Sequence, residues 1–191
     1  MYDLYPGSIV DVVTLKNTLH RVRSLGIKDY TLILDQGFFS QGNLEELINE
    51  QLSFVIPASL TIKALKEVLT ATQRDLASPQ YLWKYQTDPI FVKPVTLRVR
   101  DKEIAGFCYY DLQREQDERN LFYLRRHDLK QKLESLQIRR WRKPEEVFRE
   151  RAGPQRINRM GKQIILVRGS LDWEESLTVY RERDAIEKVF H

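Results

Sequence analysis

The sequence predicts an α/β protein, and three observations carry that prediction. Short apolar runs at 30–34, 53–58 and 163–167 alternate with segments whose apolar residues recur at helical spacing. At 191 residues, 42% apolar and 30% charged, the chain can bury one sizeable core, or a core with an inserted subdomain, and does not have a disordered composition. No run approaches the roughly eighteen apolar residues of a membrane span. The opening Met1–Gly7 also lacks the charged start and apolar stretch of a secretory leader. A cytoplasmic protein without membrane contact is expected. The single Cys108 excludes an internal disulfide and reads as a small core residue.

The elements follow in order. Tyr5-Pro6-Gly7-Ser8 is a turn, with Ser8 or Asp11 able to cap the helix that follows. Val12, Leu15, Leu19 and Val22 form one face of that helix, which Gly26 ends; His20 is expected at its surface. Tyr30-Thr-Leu-Ile-Leu34 reads as a strand buried on both faces, as in a parallel sheet covered by helices. A second helix starts near Gln41 or Asn43 and buries Leu44, Leu47 and Ile48; Ser53–Ala58 is the next strand, stopped by Pro57. Leu60 to Leu76 suits a helix, and Pro79, Pro89 and Pro94 punctuate a looser region. Val95–Arg100 and Ile104–Tyr110 form a hairpin about Asp101-Lys102-Glu103, and Arg114–Ile138 is a long charged helix. Gln163–Val167 is a buried strand, followed by Gly169-Ser170 and a final helix from about Trp173.

Charge is unevenly spread. Between Arg125 and Lys162 thirteen Lys and Arg stand against five Asp and Glu, an excess of eight, so the rest of this +4 chain carries minus four. A basic segment on a more acidic body suits nucleic-acid contact, and it equally suits a solvated helical face. Its densest part is Arg139-Arg140-Trp141-Arg142-Lys143, where cations can neutralise phosphates and an indole can stack on a base. A solvated turn would have the same composition.

Two stretches carry candidate chemistry. Asp35 follows an apolar run, at the carboxyl end of a strand, where open α/β sheets place ligands. The same position suits an Asp that merely caps a turn. In the final helix Tyr180, Arg183 and Glu187 fall within about 60° of one another, beside an apolar stripe of Val179, Ile186 and Phe190. Solvated charges on an amphipathic helix account for that pattern as well. Two carboxylates brought together, Asp35 and Glu187, could hold Mg²⁺ at a phosphodiester.

Leu32-Ile-Leu-Asp35-Gln-Gly-Phe38, followed by Ser40 and Asn43, resembles the block around the second catalytic Asp of insertion-sequence DDE transposases, with Gln36 where Arg is common. Tyr180, Arg183 and Glu187 match that family's Tyr-Arg-Glu-Lys signature in spacing and identity. The resemblance implies a partial ribonuclease H-like nuclease domain interrupted by an α+β insertion. Its core is expected at 1–59, the insertion at 60–160, basic toward its end, and the returning strand and helix at 161–191. It further implies Asp35 and Glu187 as catalytic, metal-binding carboxylates, with Mg²⁺ or substituting Mn²⁺. Tyr180 and Arg183 would contact transposon-end phosphates. The implied partners are transposon-end and target DNA, with a homodimer open to the full-length protein.

The family's first catalytic Asp has no counterpart here, and the signature Lys would fall three positions past His191. The expectation is therefore an internal or truncated piece, inactive alone, whose family activity is DNA transposition by metal-dependent cleavage and strand transfer. The alternative is a non-catalytic DNA-binding remnant that uses the basic 125–162 region. A phosphoacceptor or small-molecule domain built on Asp35 would need an early carboxylate pair, which the sequence lacks.

Overall fold

A computed structural model describes residues 11–26, 29–59, 63–135 and 157–189. The fold is α/β, with several helices and one six-stranded mixed sheet of order β1-β2-β6-β5-β4-β3. The strands are β1 (Thr31–Ile33), β2 (Ser53–Pro57), β3 (Leu82–Tyr85), β4 (Asp88–Val99), β5 (Lys102–Asp111) and β6 (Lys162–Arg168). The helices are α1 (Asp11–Ser24), α2 (Gln41–Asn49), α3 (Lys63–Gln73), α4 (Leu112–Ser135) and α5 (Trp173–Val189). Among the described residues no helix is long and apolar enough to cross a membrane. By its internal contacts the chain divides into two compact units, with the divisions falling after Leu76 and inside β4, β5 and β6.

The first unit is 1–76, 92–108 and 164–191. α2 forms where periodicity and capping agree. The Ser40 hydroxyl accepts from the Asn43 N–H at 3.1 Å, and Leu44, Leu47 and Ile48 are buried one turn apart. The helix ends with Arg168 donating to the Ile48 carbonyl at 2.9 Å, which satisfies one of its terminal acceptors. Phe54, Val55 and Ile56 of β2 and Ile164, Ile165 and Leu166 of β6 are fully buried. Each such side chain stabilises the fold by about 1.5–3 kcal/mol. β2 runs parallel to β1 and antiparallel to β6, with Val55 opposite both Ile33 and Val167. Gly106 of β5 is demanded by close approach, since a Cβ there would lie 2.5 Å from the Ile165 carbonyl oxygen.

Two expectations are corrected here. β1 is not buried on both faces: it is an edge strand, with Thr31 and Ile33 exposed and only the following Leu34 buried. The sheet is also mixed rather than parallel, because β6 enters antiparallel beside β2. An apolar run fixes that a strand forms, whereas its place in the sheet depends on which distant strands pair with it.

The second unit is 77–91 and 109–163. The region expected to be loose is instead strand: β3 pairs antiparallel with the start of β4, Leu82 opposite Phe91 and Tyr85 opposite Asp88. Pro89 and Pro94 both lie within β4 and are exposed. Each removes one ladder donor, and Pro94 lies beyond the Asp88–Phe91 stretch that pairs with β3.

This unit contains a dense polar network. Glu115, in the first turn of α4, accepts from the Tyr110 hydroxyl through one oxygen and from Arg119 at 2.6 and 2.9 Å through the other. Lys162 lies 4.4 Å from the Tyr110 ring centroid, and Phe91 stacks on that ring at 5.8 Å. Next to it, Glu118 accepts from Arg114 at 2.8 Å and from the Gly161 N–H at 2.9 Å. Burial and the bond to Glu115 push the Tyr110 hydroxyl up to about 12. Burial alone would raise Glu115, but the bonds from Tyr110 and Arg119 and the charges of Arg119 and Lys162 outweigh it and hold the carboxyl below its usual value.

Candidate functional site

Asp35 leaves the end of β1 in extended conformation, just after the Leu34 N–H bonds to the Val55 carbonyl at 2.9 Å. Its Oδ1 accepts from the Gln36 N–H, so Asp35 caps a single 3-10 turn over Gln36–Phe38. That turn is fixed from two sides. Phe38 N–H returns to the Asp35 carbonyl at 3.0 Å, and the Asn43 amide donates to the Phe38 carbonyl at 2.8 Å. Asn43 is itself fully buried on α2. The loop that presents Asp35 is thus tied into the core, and the turn-capping role that Asp favours is satisfied as well.

The other half of the site comes from the opposite end of the chain. α5 begins with a capping box: Asp172 Oδ1 accepts from the Glu174 and Glu175 N–H groups at 2.8 and 2.9 Å, while Glu175 Oε2 accepts from the Asp172 N–H at 3.0 Å. Ser176 and Leu177 are buried, and α5 packs against β1 and β2. That packing carries Tyr180 and Arg183 to the carboxyl end of β1.

Arg183 Nη1 lies 3.1 Å from Asp35 Oδ1, and its guanidinium carbon is 5.0 Å from the Tyr180 ring centroid. The partners are unequally exposed: the Asp35 side chain retains 52% of its surface and Arg183 only 16%. Guanidinium over a phenol ring, with a carboxylate facing Nη1, sets a negative charge beside a largely buried cation; the contact is an ion pair and not a hydrogen bond.

Three of the sequence-predicted residues, Asp35, Tyr180 and Arg183, are therefore brought together. Glu187 occupies the helical turn of α5 after Arg183, about 6 Å further along the axis; its side chain is outside the described residues. Arg139, Arg140, Trp141, Arg142 and Lys143 lie outside them altogether. Sequence reasoning missed the Asp35–Arg183 ion pair, although both residues were singled out and carry opposite charge. It also missed Asn43 as the tie of the Asp35 loop. The available signal was a polar residue next to Leu44 on the apolar face of a helix already capped by Ser40.

Among the described residues no group of three His, Cys, Asp or Glu stands ready to hold a metal ion. Comparison of the chain with protein-family models, with curated proteins and with solved structures finds no match.

Proposed function

We propose that this chain carries a partial ribonuclease H-like core of the DDE insertion-sequence transposase type. Its core would be 1–59 with 161–191, interrupted by the insertion at 60–160. Its role is contact with DNA phosphodiesters, and it is catalytically silent on its own. The observation that carries the reading is the contact of Arg183 of α5, backed by the Tyr180 ring, with Asp35 at the end of β1. Those residues come from two widely separated stretches, each of which resembles the family separately.

The chemistry of the described residues is phosphate contact. Arg183 is a permanent cation with several donors in a fixed plane, and the Tyr180 ring lies against it. Glu187 is the second carboxylate that the reading assigns to the site. The family's Mg²⁺ does not fit the described donors as they stand, because Asp35 Oδ1 already faces a guanidinium at 3.1 Å, and a divalent ion at the same oxygen would be repelled by it. Bond cleavage is therefore not assigned to this chain.

The test is binding of short duplex DNA by the full chain, followed by fluorescence anisotropy at several salt concentrations with chelator present. Affinity should fall steeply with salt, and Arg183→Gln should weaken it while lowering the salt slope by about one. Affinity that ignores salt would sink the phosphate reading. Robust Mg²⁺-dependent nicking of DNA that disappears in Asp35→Asn would overturn the assignment of silence.

A further inference from the structure

The pairing at Asp35 is lopsided. The carboxylate is half in solvent and could hydrate without help, whereas the guanidinium is mostly buried and needs a compensating charge. An arginine cannot shed its proton to escape that need, so the positive charge facing Oδ1 is permanent. A metal bound to that oxygen would sit within about 5 Å of the guanidinium, where like charges repel strongly in a partly desolvated setting. The Tyr180 ring, 5.0 Å from the guanidinium carbon, backs the same side chain. On the Asp35 side, the turn over Gln36–Phe38 is tied to α2 through Asn43, which holds the backbone that carries the carboxylate.

We infer that Arg183 is the resident cation of Asp35 and closes its Oδ1 to divalent ions. The inference deepens the proposed function and rests on it for the kind of ion concerned. Its failure is separable, because the DNA-binding test above contains chelator and no metal. In this chain the residue that resembles the signature arginine thus also neutralises the carboxylate that resembles the second catalytic Asp.

The experiment is Mn²⁺ titration of the full chain followed by electron paramagnetic resonance, comparing wild type, Asp35→Asn, Arg183→Gln and the double variant. Wild type should show no Asp35-dependent uptake below about 1 mM, a range in which even weak carboxylate sites fill. Arg183→Gln should gain at least about a tenfold increase in Mn²⁺ affinity, lost again in the double variant. Uptake by wild type that Asp35→Asn abolishes would overturn the inference, as would an Arg183→Gln variant that gains nothing. Should Arg183→Gln not fold, the wild-type and Asp35→Asn titrations decide: Mn²⁺ uptake by wild type that Asp35→Asn abolishes refutes the inference, and its absence supports it.

Discussion

Two carboxylate–arginine pairs in this molecule teach different things. Glu115, in the second unit, is largely covered and accepts from the Tyr110 hydroxyl and from two nitrogens of Arg119, with Lys162 adding its charge. Asp35, in the first unit, is half exposed, sits at the end of a strand and meets one guanidinium nitrogen at 3.1 Å. The Glu115 network has its acceptors filled several times over, which is what a structural tie between helix and strand requires. The Asp35 pair is a single ion-pair contact whose carboxylate is half in solvent and whose guanidinium is mostly covered, so it contributes less to stability than the Glu115 network.

The largest effect that would sharpen this contrast is Glu115→Ala. It leaves the Tyr110 hydroxyl and Arg119 without their acceptor and should cost about 1–3 kcal/mol in urea unfolding. If Glu115→Ala proved neutral, the network would not be structural. Tyr110→Phe removes one hydrogen bond of the same network and should cost less, about 0.5–1.5 kcal/mol in the same assay.

The pH dependence follows from the directions of the shifts. Glu115 is held below its unfolded value, so its contribution is present above the ordinary carboxylate range and is lost as pH falls through the lowered folded value. Tyr110 is raised to about 12, so its contribution is present below the ordinary phenol value of 10.0 and is lost as pH rises toward 12. Glu115→Gln should flatten the acid limb of a stability–pH curve, and Tyr110→Phe the alkaline limb. Wild-type limbs in both variants would break the account.

The smallest stability effect should come from Asp35→Asn, about 1 kcal/mol, because the carboxylate it replaces is half in solvent and the Asn amide oxygen can still face the mostly buried guanidinium. A loss of several kcal/mol there would place Asp35 with Glu115 among the structural ties.

How far the sequence discloses this molecule can be traced in particular residues. α2 was legible because Leu44, Leu47 and Ile48 mark its buried face at helical spacing. The start of α5 and strand β6 were legible for the same local reason, as was the adjacency of β4 and β5 across a two-residue link. The edge position of β1 was not legible, because exposure of Ile33 depends on which strand fails to pair with it. The β3–β4 pairing was hidden by Pro89 and Pro94, which argue against strand unless the neighbour's extent is known. At the site, helical spacing put Tyr180 and Arg183 on one face, and a strand-end position singled out Asp35. That the two meet as an ion pair is a tertiary fact. The Tyr110–Glu115–Arg119 network was invisible because it joins a strand end to a helix start.

The most direct test of the central claim puts two questions to Asp35→Asn on the same sample: its unfolding free energy, and its affinity for short duplex DNA in metal-free buffer. If Asp35 and Arg183 form a phosphate-facing site, stability should stay within about 1 kcal/mol of wild type. Duplex affinity should rise severalfold, because a repelling carboxylate is gone and Arg183 is released to the phosphate. A variant that loses several kcal/mol of stability and binds DNA no better than wild type would contradict the claim.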